Sequence, residues 1–585
     1  MMQRACSVLR LSMIFIFLNL LQLIVFSHCS YRIEEIVLLI LSSVTLFLSV
    51  LCSVAIMVRW KLYFFRILFS GLLATNYLVL LLLIVYRKIL GSNLEIHFLV
   101  ENFQRVLPTI TQSFGSKKVL IGWMVVTIIF IFYYFCAAAA LRSVERFQIS
   151  GMASVVVVLM VVVAHSIVPF NLLLFVQGFS INHAQGKDAI HMNKSVDSIN
   201  LSGENVVILQ MESVGSAYLA PSLSKDEVTV KMPYLSSIKD GVFFPFHWSN
   251  GTPTDRAKAS LLCGVTYHQG TSLAEHPEDI QVSCLPEILS KGGYRTLFAK
   301  AHPDPNFQND EEFMRTIGFQ EYHAADFMHE GDLKNGWGYE DCVFYERLFE
   351  YLKKQEINKT SYLMYVEVSS NNHWPWHLFG KYSYLHEQEV DPYVNSELQQ
   401  SYCATEFVEK LYEFNGLEKT HLFITSDHGP STSVIPMINL NYFVPFIYIP
   451  PLERRVEFAV GKVDVEQHFS HADVLPTIIE LLSDEQQDNS FVFAIRKQDV
   501  GYNASVSDYY EDCQILTQNG GTRIAVIRDN MEYVFVPSEE NVYVFDLTEG
   551  VDAYDGPEII STVSFDQFVK KYFCNRYKQI TLAAG

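Results

Sequence analysis

Asn205-Val-Val-Ile-Leu-Gln-Met-Glu212-Ser213 is a short apolar run that stops on a carboxylate and a turn-prone Ser-Val-Gly. A near-continuous apolar run of this length reads as a strand buried on both faces, carrying Glu212 to the carboxyl edge of a sheet. The pattern recurs. Arg295-Thr-Leu-Phe-Ala ends at Lys300 and His302, and Ser361-Tyr-Leu-Met-Tyr-Val-Glu-Val ends at Ser369-Ser-Asn-Asn-His373. His421-Leu-Phe-Ile-Thr ends at Ser426-Asp427-His428-Gly429. Helical stretches lie among these runs, at 399–414 and at 472–483 behind a Ser470 cap. Strand–helix alternation predicts an α/β domain with a mainly parallel sheet flanked by helices. Alternating runs at 523–527, 532–536 and 542–546 predict a small C-terminal antiparallel sheet. In parallel sheets the site lies beyond the carboxyl ends of the strands, where these polar residues collect.

The rest of the chain is of another kind. Residues 1–180 carry 13 Lys/Arg against 5 Asp/Glu, a net of +8, so the remainder holds −28 of the chain's −20. Apolar runs at 11–29, 36–57, 65–86, 119–141 and 152–177 are each long enough to cross a ~30 Å hydrocarbon core. The expected organisation is a five-helix transmembrane domain (1–180), a linker (181–203) and a large acidic globular domain (204–585). Five crossings put the ends on opposite sides. Arg59, Lys61, Arg142 and Arg146 share a side with the basic N-terminus, which makes that side cytoplasmic and the large domain extracytoplasmic. The basic 87–118 loop falls on the outer side and is expected to lie along the bilayer surface. An acidic domain argues against nucleic-acid binding.

Cys6, Cys29, Cys52 and Cys136 sit in or beside the apolar runs, and six cysteines remain, Cys263, Cys284, Cys342, Cys403, Cys513 and Cys574, with no C-x-x-C pair. A thiolate zinc knuckle is therefore not expected, and an oxidising compartment would allow disulfides of open connectivity. Five Asn-x-Ser/Thr triplets occur, at Asn193, Asn200, Asn250, Asn358 and Asn503. A glycan at Asn250 would crowd the region discussed next, which favours a bacterial host that leaves them unused.

Residues 249–264, Ser-Asn-Gly-Thr-Pro-Thr-Asp-Arg-Ala-Lys-Ala-Ser-Leu-Leu-Cys-Gly, run from a polar turn into a helix that closes at Gly264. That layout puts the Thr254 hydroxyl at a helix mouth, where free N–H groups and the dipole favour an anion. The bland reading is a capping threonine. Likewise Glu212 alone is a surface acid, Asp427-His428-Gly429 a turn, and His373 a packed loop histidine. Together, Glu212, Thr254, Asp427 and His428 make an O/N donor set suited to one Mn²⁺ or Zn²⁺, with Mg²⁺ a further option. A threonine hydroxyl is barely ionised near neutral pH, and coordination would activate it.

These residues resemble the lipoteichoic-acid-synthase-like phosphoglycerol transferases of the alkaline phosphatase/sulfatase superfamily. The likeness rests on Asn205–Ser213, on Thr254 with Gly264 ten residues on, on His373-Trp-Pro-Trp and on Ser426-Asp427-His428-Gly429. Five spans before an external catalytic domain match that family too. The resemblance implies that Thr254 is the nucleophile, that Glu212, Asp427 and His428 join it around the metal, and that His373 binds the phosphate or donates a proton. The sulfatase box Cys/Ser-x-Pro-x-Arg-Ala-Ser-Leu-Leu-x-Gly is similar to 254–264, with Thr254 replacing the residue oxidised to formylglycine and Lys258 the arginine. Threonine cannot become formylglycine, so sulfate-ester hydrolysis by that route is excluded. Lys258, one turn on, is expected to steady the anion. The family's Trp-x-Arg pair is missing after Lys300; His302 stands there as the substitute substrate-binding residue.

The expected function is transfer of phosphoglycerol, or a related phospholipid head group, to a cell-envelope glycan or lipid through a phosphothreonine. The enzyme would sit in the bacterial cytoplasmic membrane, acting on the outer side. The alternatives are a phosphoethanolamine transferase, a plain phosphatase or phosphodiesterase, and a catalytically silent lipid-binding regulator. The last should have lost metal ligands.

Overall fold

The computed structural model describes residues 201–483, apart from 217–232, 239, 245–246, 265–272, 275–276, 278–279, 281, 356–359, 374–375, 377, 386–391, 415–416, 431–441 and 456–468, together with five strands between 513 and 564. The five apolar runs, the 87–118 loop and all but the end of the 181–203 segment lie outside the described residues, as do Asn193, Asn200, Asn358, Asn503 and Cys574. Among the described residues no helix is long and apolar enough to cross a membrane.

Seven strands make the central sheet: β1 (Asn205–Met211), β2 (Val242–Phe244), β3 (Arg295–Lys300), β4 (Glu321–Ala324), β5 (Tyr362–Glu367), β6 (Thr420–Ser426) and β7 (Phe446–Ile449). Their spatial order is β2-β7-β6-β1-β5-β3-β4. The strands β6, β1, β5, β3 and β4 run parallel, and β7 is antiparallel to both its neighbours. Around them stand α1 (Thr254–Cys263), α2 (Leu285–Lys291), α3 (Asp310–Thr316), α4 (Asp341–Lys354), α5 (Pro392–Glu413) and α6 (Val474–Leu482).

Strand side chains alternate between two cores. Val206 and Ile208 of β1, with Phe298, Leu363, Tyr365 and Phe423, pack on one face with Leu261 of α1, Ile288 of α2, Phe313 of α3 and Ile478 of α6. Val207, Leu209 and Met211, with Leu297, Met364, Val366 and Ile424, pack on the other with Leu348 of α4 and Phe407 of α5. Burial on both faces is why these strands lack polar alternation. Each such side chain stabilises the fold by roughly 1.5–3 kcal/mol relative to exposure. Two disulfides join the helices: Cys263–Cys284 links the end of α1 to the residue before α2, and Cys342–Cys403 links α4 to α5.

The α/β architecture expected from the sequence is present, with differences of detail. The helix expected at 399–414 starts at Pro392, because Asn395, Ser396, Glu397, Gln399 and Gln400 are buried polar residues that hide its period. The 472–483 helix opens as a 3₁₀ turn, His471–Asp473, in which Ser470 and Asp473 form a capping box. Three short strands, β2, β4 and β7, were not expected; β4 is a half-buried edge reading Glu-Tyr-His-Ala. The C-terminal sheet has five antiparallel strands in sequence order, β8 (Cys513–Gln518), β9 (Arg523–Arg528), β10 (Met531–Val536), β11 (Asn541–Asp546) and β12 (Ile559–Ser564), of which β9 to β11 were legible. The end of the 181–203 segment is already tied into the domain. Leu201 bridges Ser483, and Ser202 N–H donates to the Leu482 carbonyl at 2.7 Å.

Candidate active site

The register of the two central strands builds the core of the site. Met211 of β1 pairs with Ser426 of β6, so the next residues, Glu212 and Asp427, leave the sheet side by side. Asp427 N–H still donates to the Met211 carbonyl at 3.1 Å. Ser213 then turns the chain with a left-handed φ of +55°, a strained conformation for a residue with a Cβ. Its N–H donates to Asp427 Oδ1 at 2.8 Å and its hydroxyl to Glu212 Oε1 at 2.7 Å. His428 N–H also donates to Asp427 Oδ1, at 2.7 Å. The second carboxylate oxygen, Oδ2, thus faces the remaining groups.

Thr254 is the first residue of α1, after Pro253, whose side chain makes no cap bond. Its hydroxyl does not cap the helix. It donates to Asp427 Oδ2 at 2.8 Å, across 173 residues of sequence. The helix closes at Gly264, whose φ of +64° gives the left-handed end that glycine adopts without strain. Thr254 is 8 % exposed, against 2 % for Glu212 and 0 % for Asp427.

Glu212, Asp427 and His428 each offer a ligand atom within 4.8 Å of the others. His428 Nδ1 lies 2.8 Å from the Gly429 carbonyl and donates to it, which leaves Nε2, 3.3 Å from Asp427 Oδ2, as the ring nitrogen turned towards the carboxylates. Burial, and then the adjacent Asp427, push the Glu212 carboxyl well above the usual range. Two buried carboxylates and an imidazole whose Nε2 faces them therefore fit a divalent ion. A second cluster, Glu340 with Cys342 and Cys403, does not, since both sulfurs are in a disulfide.

Lys258 is not the exposed helix lysine that its sequence position allowed. It is 1 % exposed, in contact with Asp310 and 2.8 Å from Glu367, while Lys300 reaches Asp310 at 2.9 Å. Burial alone would lower the Lys258 ammonium; Asp310 and Glu367 more than offset this, and the net direction is upward. Burial raises and the two lysines lower Asp310, to about 2. His302 stacks on Phe307 at 4.5 Å and takes a hydrogen bond from Asp304 N–H on Nδ1. Burial and then Lys300 hold it down at about 4, so it is neutral near pH 7. His373 stacks on Trp337 with ring centroids 3.5 Å apart. Its neighbour Asn372 donates to the Glu212 and Ser213 carbonyls, both at 3.1 Å, which docks this loop onto the turn after β1.

Residues 204–484 match the protein-family profile described as Sulfatase. This segment is a sulfatase-superfamily domain. None of the curated proteins matches the sequence. Among solved structures, the chain is similar to a protein in the alkaline phosphatase superfamily from Vibrio parahaemolyticus, at 16 % identity and a TM-score of 0.47, covering 66 % of this chain and 90 % of that one. It is also similar to the lipoteichoic acid synthase LtaP from Listeria monocytogenes (17 % identity, TM-score 0.45, 66 % and 96 % covered). A third is the lipooligosaccharide phosphoethanolamine transferase EptA from Neisseria meningitidis (12 % identity, TM-score 0.42, 68 % and 81 % covered). Likenesses this distant carry nothing about substrate. The Sulfatase match places residues 204–484 in a superfamily of hydrolases and transferases in which a divalent metal is typical.

Sequence reasoning missed the supporting residues. Ser213 and Asn372 were visible only as turn residues, although Asn371-Asn372 before a histidine is a polar pair at a strand end. Lys300 was visible only as the end of its strand run, and Asp310 and Glu367 gave no signal, since ion pairing across elements has no sequence period. Asn250 answers an open question: it is fully buried, and its Oδ1 accepts from Ala472 N–H at 2.7 Å, so its triplet is no glycan site.

Proposed function

We propose that this protein is a metal-dependent phosphotransferase that moves a phospholipid head group, phosphoglycerol first among them, onto a hydroxyl of a cell-envelope glycan or lipid. The observation that carries the reading is the Thr254 hydroxyl donating at 2.8 Å to Asp427 Oδ2 within the Glu212–Asp427–His428 cluster. A divalent ion held by Glu212, Asp427, His428 and Thr254, Mn²⁺ or Zn²⁺ by the donor set and Mg²⁺ as a further option, would lower the hydroxyl's pKa and screen phosphoryl charge.

Thr254 Oγ attacks phosphorus while its proton passes to Asp427 Oδ2. The Thr–O–P bond forms as the P–O bond to diacylglycerol breaks, and the leaving oxygen takes a proton from His373. The acceptor hydroxyl then attacks the phosphothreonine, its proton returns to His373, and the Thr254 oxygen leaves with the proton from Asp427. N–H groups at the start of α1 stabilise the charged phosphoryl oxygens. His302 and Lys258 complete the substrate side, Lys258 by fixing the helix that carries Thr254.

The five apolar runs of residues 1–180 support a multi-pass anchor in a bacterial cytoplasmic membrane with the domain outside, in reach of lipid donor and acceptor. The two disulfides fit an oxidising compartment. The acidic domain leaves nucleic acid out. Phosphoethanolamine transfer is the nearest competing reading, separated by supplying phosphatidylglycerol against phosphatidylethanolamine.

The test is mass spectrometry of the tryptic peptide 240–256 after incubation with each lipid and metal. A phosphoglycerol adduct on Thr254 is expected, and a phosphoethanolamine adduct would transfer the assignment to the other donor. Thr254→Ala should abolish lipid turnover while the fold and metal binding persist. Retained turnover in that variant refutes the mechanism, and water as sole acceptor would make the enzyme a hydrolase.

A further inference from the structure

A hairpin at 335–339 is wedged between the loops that leave β3 and β5. On the β3 side Tyr339 N–H donates to the Ala301 carbonyl at 3.1 Å. Gly338 approaches so closely that a Cβ would lie 2.9 Å from the same oxygen, and its φ of +143° is one that residues with side chains rarely adopt. On the β5 side Asn335 Nδ2 donates to the Ser370 carbonyl (2.9 Å), Ser369 Oγ to the Trp337 carbonyl (2.8 Å) and Ser370 Oγ to the Gly338 carbonyl (3.3 Å). Trp337 N–H closes the turn on Asn335 Oδ1 at 2.8 Å.

The hairpin backbone is thus fixed to both loops, and what it presents between them is the Trp337 ring. One ring lies on His373 at 3.5 Å and 22°. Phe307 meets Trp337 edge-on at 6.3 Å and stacks in turn on His302 at 4.5 Å. Two histidines from separate strand ends are therefore joined through two aromatic rings into one file. The indole Nε1 is buried without a hydrogen-bond partner among the described residues. The indole contributes here through its face.

We infer that Trp337 is a positioning residue that fixes the ring plane of His373 against the group being transferred. The inference rests on the reading that Thr254 and His373 act on one phosphoryl group. An imidazole has a broad torsion about its ring bond, and a flat aromatic surface in contact with it leaves one plane. Proton transfer and phosphate contact depend on that plane, because the ring nitrogens must point at the reacting oxygens.

The test uses the full-length protein in vesicles of mixed phosphatidylglycerol and phosphatidylethanolamine with Mn²⁺ or Zn²⁺. Lipid turnover at saturating donor, KM and melting temperature are read for W337A, W337F, H373A and W337A/H373A, with T254A alongside. Loss of orientation lowers kcat in W337A by on the order of 10–100-fold, with KM and metal affinity nearly unchanged. W337F, which keeps an aromatic face, recovers most of the rate. The double variant is no slower than H373A alone, because the two act as a unit. If W337A does not fold, W337L takes its place in the cycle. An unchanged kcat in W337A, a W337F as slow as W337A, or a double variant slowed by the product of the single effects each overturns the inference. Turnover persisting in T254A would instead refute the functional reading beneath it.

Discussion

Replacing Lys258 with Met measures what the buried ion cluster does. In the native fold two ammonium groups, Lys258 and Lys300, face two carboxylates, Asp310 and Glu367, all buried. The Met side chain fills similar volume but leaves the cluster one negative charge in excess. Removing one partner of a buried pair typically costs about 3–5 kcal/mol, because the remaining charge is uncompensated. The matched segment spans 204–484, and roughly 2.1 cal/mol/K of unfolding entropy per residue gives about 0.6 kcal/mol/K over that length. The melting midpoint should therefore fall by roughly 5–8 °C. Glu367 is raised by burial, with Lys258 pulling the other way, so without the lysine it takes up a proton more readily and the loss shrinks at acid pH. Differential scanning fluorimetry of the purified full-length protein at pH 6 and pH 8 reads both effects. Lys258→Met with Glu367→Gln restores neutrality and should recover part of the midpoint. A K258M variant with unchanged melting but lost lipid turnover would refute this account and make the ammonium a direct partner of Thr254.

Two further outcomes follow from the site's surroundings. His302 is held neutral down to about pH 4, whereas an unfolded histidine takes its proton near 6.5. The unfolded state therefore binds more protons between these values, and stability is full above pH 6.5 and lost as pH falls towards 4, by up to roughly 3 kcal/mol. Melting temperatures of the wild type and H302N from pH 7.5 to 4.5 should converge if this residue is responsible, and parallel curves would show that it is not. Asn372 holds the Glu212 and Ser213 carbonyls, so Asn372→Ala should weaken Mn²⁺ or Zn²⁺ binding by about 10–100-fold in calorimetry with the fold intact; unchanged affinity would remove its supporting role.

The legible part of this molecule was the part set by burial. β1, β3, β5 and β6 are covered on both faces, so their apolar runs stand out, and the polar residue ending each run marks the carboxyl edge. Hence Glu212 and Asp427-His428 could each be placed at the carboxyl edge from their runs, while their adjacency could not. The order of strands could not be read, because register between β1 and β6 is set by two segments more than two hundred positions apart. Edge strands such as β4 and the polar first half of α5 were silent for the opposite reason: Gln399, Gln400 and Glu397 are buried through hydrogen bonds, which have no hydropathy signature. Trp337 read as one more loop aromatic until its stacking partner was known.

The Met211–Ser426 pairing fixes when the site can first exist. Its two acids lie more than two hundred positions apart and meet only once the later strand has docked on the earlier one. Before that docking, the turn after β1 holds only one of the two acids, so any ion that needs both is captured after the sheet has closed and not during its assembly.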